Sequence, residues 1–250
     1  MNRNFIREGI IIKNTRIEEA HKGVTLLTRD SGLLSAIAYG AYKTKSKLKG
    51  LTDPFNRITC YLYFESVKGN WKITDVDCRD FNLGIKSDLK RYYTASMCAE
   101  VIIKSYGGGQ EYEKIFDLFS STLKFLDNIA EAKRKFVLLQ FLWRYISLLG
   151  LRPRLNKCLL CSRIIEKGET VYYSSEGGVI CTRCSTSNMT EIPPGGRSYL
   201  NHTGSLTLPE ALRVGLDVRS VDALKKFFYK WIEDVLEQPL NTLRSGEDFL

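Results

Sequence analysis

The apolar positions of the first 80 residues come in short runs broken by turn residues, which predicts β-structure. Gly9-Ile10-Ile11-Ile12 is a β-branched run, and Val24-Thr25-Leu26-Leu27-Thr28 follows it. Arg29-Asp30-Ser31-Gly32 reads as a turn, after which Leu33 to Gly40 resumes the strand pattern. Asp53-Pro54-Phe55-Asn56 turns the chain into Ile58 to Glu65, and Lys68-Gly69-Asn70 is a hairpin signal before Trp71 to Val76. About five closely spaced strands suit a small closed antiparallel barrel of the oligonucleotide-binding (OB) type, which leaves no open edge. An SH3-like barrel fits the same periodicity nearly as well.

From about Ile85 the period lengthens to that of a helix. Ile85, Leu89, Tyr92, Tyr93, Met97 and Val101 recur at steps of three and four, up to a stop at Gly107-Gly108-Gly109. Tyr112, Ile115, Phe116, Phe119, Leu123 and Leu126 predict a second amphipathic helix. The third, over roughly 129–149, is apolar on almost every side and is expected at the centre of its domain. Its one polar stripe is Lys133, Gln140, Arg144 and Ser147, and Gly150 and Pro153 end it. Ile192-Pro193-Pro194-Gly195-Gly196 reads as a loop. Ser220 reads as the N-cap of a helix that Pro239 stops, and Asn241 to Leu250 as a frayed tail.

Within the second half, Cys158-Leu-Leu-Cys161 and Cys181-Thr-Arg-Cys184 are two CxxC pairs separated by 19 residues. That is the spacing of a four-cysteine structural zinc site. Two residues between cysteines let a tight turn aim both thiolates at one ion. Glu169 to Ser175 reads as a strand and Gly177-Gly178 as a turn, so a hairpin brings the two knuckles together. A redox CxxC would instead be a single pair beside a βαβ unit. Cys60, Cys78 and Cys98 stand alone in apolar patterns and are expected to be small core residues.

Charge adds a direction. The chain of 250 residues has 37 Lys and Arg against 28 Asp and Glu, a formal net charge of +9. Residues 1–157 carry a net +11 and residues 191–250 a net −2. An acidic partner is implied, such as nucleic acid, an anionic surface or an acidic protein. Four thiolates on one Zn2+ would lower the total by 2. No run of 18 apolar residues spans a membrane. Met1 to Lys13 is charged too early for a secretory signal, so a cytoplasmic protein with reduced thiols is expected. There is no HExxH, Walker loop or GxSxG, and the two histidines, His21 and His202, neighbour no metal motif. An enzyme reading finds no active site.

The basic segment is Tyr39-Gly-Ala-Tyr42-Lys43-Thr-Lys45-Ser-Lys47-Leu-Lys49. If extended, it sets Lys43, Lys45, Lys47 and Lys49 on one face about 6.5–7 Å apart, close to the phosphate spacing of a strand. Tyr39 and Tyr42 would offer stacking surfaces.

This order of parts resembles the bacterial RecO family of DNA repair and recombination proteins. The likeness rests on Gly9-Ile-Ile-Ile, Val24 to Gly32 with Arg29 in its turn, Gly40-Ala41…Lys43, and Leu51-Thr-Asp-Pro54-Phe55. It continues through Leu148-Leu-Gly150-Leu-Arg-Pro153 into Cys158-Leu-Leu-Cys161, and through Gly177-Gly-Val-Ile-Cys181-Thr-Arg-Cys184. One departure is that the family often has arginines flanking the Gly-Ala pair, where this chain has Tyr39 and Tyr42. The resemblance implies an α+β protein. Residues 1–80 would be a five-stranded OB-fold barrel, and 81–250 an α-helical domain with a zinc-ribbon-like insert over 155–190. It implies binding of single- and double-stranded DNA, through Arg29, Tyr39, Tyr42 and the four lysines, and annealing of complementary strands. With RecR, such a protein helps load RecA onto DNA coated by single-strand binding protein (SSB), in the nucleoid. Lys133 and Arg144 are the candidates for receiving the acidic SSB tail. A zinc-ribbon adaptor that binds protein without annealing DNA is the alternative.

Overall fold

The computed structural model describes residues 3–246. These form two compact units. One runs to Ile129 and takes back the segment from Asn241; the other is Ala130–Leu240.

The first unit begins with a closed barrel of β1 (Asn4–Ile17), β2 (His21–Thr28), β3 (Gly32–Ala38), β4 (Arg57–Glu65) and β5 (Asn70–Asp80). Around the barrel the order is β1-β2-β3-β5-β4, closed by β1 on β4. The pairings are antiparallel except β3 with β5, which is parallel through Ala36↔Trp71 and Ile37↔Lys72. This is the OB arrangement, and it decides against the SH3-like alternative. β1 is far longer than the Gly9–Ile12 run, because a bulge between Ile11 and Lys13 lets one strand bend and pair with both β2 and β4. Ile11, Val24, Leu26, Ile58, Leu62 and Ile73 point inward as the core. Cys60 joins them, its thiol pushed up to about 12 by burial. Leu48 and Leu51 of the one-turn helix α1 (Leu48–Leu51) pack on this core between β3 and β4.

The helical segment after the barrel is broken in two, α2 (Leu83–Lys86) and α3 (Leu89–Lys104), where the sequence pattern suggested one. The break is chemical. The Asp88 side chain accepts from the Arg91 amide and so starts a new helix. The glycines at 107–109 all have φ between +71° and +76°, a region other residues avoid, and α4 (Tyr112–Asn128) follows. α9 (Asn241–Gly246) packs on α3, so the part of the expected frayed tail that is described is an ordered helix; 247–250 lie outside the described residues.

The second unit is built on α5 (Arg134–Leu148), buried nearly all round as its pattern requires. Next come β6 (Val171–Ser174), β7 (Gly178–Cys181) and β8 (Glu191–Ile192), in sheet order β7-β6-β8. α6 (Pro194–Thr203), α7 (Leu208–Ala211) and α8 (Val218–Leu236) complete it. α6 replaces part of the loop expected at 192–196. Pro194 opens the helix at a position where its missing N–H costs nothing. Gly196 lets α6 approach α8 so closely that a Cβ would meet Leu224 at 3.2 Å. The N-cap of α8 is Asp217, whose carboxylate accepts from the Ser220 amide at 2.9 Å, so Ser220 is the capped residue and not the cap. Among the described residues no helix is long and apolar enough to cross a membrane.

Candidate nucleic-acid interface and metal centre

The loop from Tyr39 to Thr52 is not extended. Gly40 has φ +69°, and the chain winds through turns in which Lys43 N–H donates to Gly40 O (3.0 Å) and Ser46 N–H to Lys43 O (3.0 Å). The alternation of lysines therefore does not set them along one strand face, and the regular spacing expected of them is not present. The reason is that alternate lysines carry no apolar partner to hold a strand in register, whereas Ala41, Leu48 and Leu51 have the barrel to pack on. All four lysines are exposed, so the loop remains a dense cationic surface.

Two histidine and lysine contacts fix the loop to the barrel. The Gly40 N–H donates to His21 Nδ1 at 2.9 Å. Lys22, 3% exposed, donates to Asp53 Oδ1 at 2.9 Å beneath the loop. Both tyrosines are backed by cations. Tyr42, 39% exposed, has Lys22 Nζ 5.2 Å and the Arg16 guanidinium 5.6 Å from its ring centre. Tyr39 stands edge-on to His21 at 5.0 Å, with Lys72 at 5.6 Å and Lys68 at 6.0 Å. Arg16, Lys68 and Lys72 escaped the sequence reading. The hairpin signal at 68–70 was visible, but only the parallel closure of β3 on β5 brings Lys72 beside Tyr39.

Arg29 has a different setting. Its Nε donates to Glu8 Oε2 at 2.8 Å, its Nη2 lies 2.7 Å from Asp117 Oδ1, and its guanidinium rests 4.6 Å over the Phe116 ring. Arg57 grips the other Glu8 oxygen at 2.9 Å. Partial burial raises the Glu8 pKa, but the bonds from Arg57 and Arg29 outweigh it and hold the carboxyl below its ordinary value.

In the second unit Lys133 Nζ reaches Leu212 O at 3.4 Å and lies 5.4 Å over Phe136. Arg144 donates to Thr203 O (3.2 Å), at the end of α6, and to Leu206 O (2.7 Å), just past it. Gln140 is wholly buried and donates to Tyr199 and Thr203. Gln140 and Arg144 thus face α6, and Lys133 and Arg144 stand about three helical turns apart, each on its own carbonyl partners.

The four cysteines converge. The Sγ atoms of Cys158, Cys161, Cys181 and Cys184 all lie within 4.8 Å of one another. Cys161 and Cys181 are 3.8 Å apart, the edge of a tetrahedron with metal–sulfur bonds of about 2.3 Å. Each knuckle is a turn: Ser162 N–H donates to Cys158 O and Cys184 N–H to Cys181 O, both at 3.0 Å. Leu159 N–H donates to Val179 O at 2.8 Å, which docks the first knuckle on the hairpin carrying the second. For Cys181 burial opposes ionisation, yet the Cys184 amide and the Arg163 guanidinium pull its thiol down to about 6. Hydrogen bonds to Cys161 and Cys181 leave Cys184 as the proton holder, at about 12. The group can hold a metal ion, as the spacing predicts.

Comparison with known proteins agrees with these parts. Residues 1–80 match the family described as "Recombination protein O N terminal", and 86–244 match "Recombination protein O C terminal". The chain belongs to the RecO family. It is 30% identical over 178 residues to a DNA repair protein RecO from Thermoanaerobacter sp., covering 71% of this chain and 69% of that one. A Bifidobacterium longum subsp. infantis DNA repair protein RecO is 28% identical over 242 residues, 95% of this chain and 96% of the relative. The Moorella thermoacetica DNA repair protein RecO is 29% identical over 203 residues, 81% and 72%. Family membership makes this a DNA repair protein, with the OB barrel and four-cysteine cluster placed as the RecO resemblance implied.

Proposed function

We propose that the protein is a non-enzymatic recombination mediator that anneals complementary DNA strands. Its barrel module, residues 1–80, binds single- and double-stranded DNA on the face of Tyr39, Tyr42, Lys43, Lys45, Lys47 and Lys49. The observation that carries this is the pair of cation-backed tyrosines set among exposed lysines. Lysines neutralise phosphates without reading base edges, and the tyrosine rings accept any base. Two bound strands then repel each other less, and pairing proceeds. Lys68 and Lys72 extend the face around Tyr39.

The ion at the cysteines is a single structural Zn2+ held by Cys158, Cys161, Cys181 and Cys184. Four thiolates leave no open position for catalysis, and the ion serves to tie the two knuckle turns to each other. In the cytoplasm, at the nucleoid, the protein acts with RecR to help load RecA onto SSB-coated DNA. An SSB tail that pairs with Lys133 and Arg144 has to displace their contacts to Leu212, Thr203 and Leu206.

The test is binding of a labelled oligonucleotide across salt, with strand annealing measured on bare and SSB-coated DNA. Four phosphate contacts give a log–log slope of about −3 for a single strand. A flat salt response, or no annealing, overturns the reading.

A further inference from the structure

The second unit has a cleft of its own, about 310 Å³, beside the first cysteine knuckle. Arg152, Arg154, Lys157, Leu159, Ser162 and Gly178 are among its lining residues, and among the described residues no acidic side chain lines it. The segment leading in is built for regular spacing. Pro153 has a fixed φ and holds Arg152 in the extended region. Pro153 is buried while Arg152 and Arg154 are exposed, so the two arginines leave the same side of the backbone, and both line the cleft. Residues two apart on extended backbone lie about 6.5–7 Å from each other, the step between phosphates that the Lys43–Lys49 loop does not provide.

Arg152 is also held in place. Its guanidinium stacks 4.5 Å over Trp143 and also abuts Gly204, where a Cβ would come within 2.5 Å of a terminal nitrogen. Leu159, 42% exposed, offers apolar contact in the cleft lining. A pre-stacked arginine, a second at one strand step and a lysine beyond match a repeating phosphodiester and its bases. An extended acidic peptide has a similar step between alternate residues, and the DNA-binding reading above decides for a nucleic-acid strand. Four thiolates holding a divalent ion would together carry about −2, which the three cations outweigh.

We propose that this cleft is a second nucleic-acid site that holds a single strand by its backbone, so that each chain carries two strand sites, one in each unit. The proposal rests on the DNA-binding reading above and deepens it: annealing then requires only one chain.

The test counts short labelled oligothymidylate strands per chain by native mass spectrometry and titration, on the full, metal-loaded protein. Two strands are expected on the wild type and one on R154E/K157E. One is also expected on K43E/K47E, and none on the combined variant. Annealing by R154E/K157E should fall more than tenfold. Metal content and melting serve as the folding check, and R154Q/K157Q replaces the charge reversal if that variant unfolds. Gly204→Ala, whose backbone accepts alanine, should displace Arg152 and weaken the second site several-fold with metal retained. One strand on the wild type, lost in K43E/K47E, overturns this proposal and leaves the first reading standing. No strand at all overturns both. A polyglutamate peptide that binds in an Arg154-dependent way, where DNA does not, overturns it in favour of a protein partner.

Discussion

Arg29 Nη2 lies 2.7 Å from Asp117 Oδ1, joining the end of β2 to α4. The same guanidinium holds Glu8 of β1, so one side chain ties two strands and a helix. Arg29→Ala is expected to lower stability by about 1 kcal/mol, a modest figure because the cluster is one-third exposed and screened. Oligonucleotide affinity should change by less than about threefold. Denaturant melts and binding titrations on the same variant separate the two effects; a loss of affinity with unchanged stability would place Arg29 on the DNA.

The exposed lysines should behave in the opposite way. Lys43→Glu with Lys47→Glu is expected to weaken strand binding by more than tenfold with the melting midpoint unchanged. Neutralising two contacts should make the salt slope shallower by about 1.4, and Lys72→Glu should act in the same direction.

Tyr42→Ala tests stacking apart from charge. Base stacking is worth about 1–3 kcal/mol, so single-strand affinity should fall roughly fivefold to a hundredfold. Duplex binding, where bases are already stacked, should be nearly unaffected. Equal losses on both substrates would assign Tyr42 a purely structural use.

Chelation of the metal should loosen residues 158–184 and leave the first unit folded. Hydrogen exchange should show protection lost at Tyr172 and Val179 and kept at Ile58 and Leu62, because the barrel has its own core. Loss of all cooperative melting would contradict this.

Glu100 gives the first unit an acid-sensitive latch. Its carboxylate accepts from the Asn241 and Thr242 amides at 2.8 and 2.9 Å and from the Thr242 hydroxyl at 2.8 Å, with Lys104 at 3.0 Å. Burial raises its pKa, but these bonds outweigh that and depress it below 4.5. A depressed carboxyl stabilises fully above its unfolded value and loses that contribution as pH falls through the folded one. The docking of α9 should therefore weaken below about pH 4.5. Glu100→Gln should weaken it at neutral pH by about 1 kcal/mol, the usual worth of a helix cap. Proteolysis within Asn241–Arg244 across pH reads both.

Features held by near neighbours were legible in the sequence. The CxxC pairs declare a cluster able to hold a metal ion because each knuckle closes over four residues. The all-round apolar pattern of α5 declares its burial, and the strand runs and turns of the barrel follow from local chemistry. What the sequence hid depends on distant residues. Asn241 to Gly246 looks like a tail until Glu100, far away in the chain, satisfies its first amides. Lys72 joins Tyr39 only because β3 and β5 close the barrel in parallel. The lysine loop shows the limit from the other side. Its alternation has the period of a strand, but a solvated charge exerts no pull toward one face. The apolar positions Ala41, Leu48 and Leu51, which pack on the barrel core, decided its path. Sequence by itself determined which chemistries were present and the local elements that carry them. Tertiary structure decided which of the charged side chains became a surface and which became struts, because that choice rests on long-range burial and pairing.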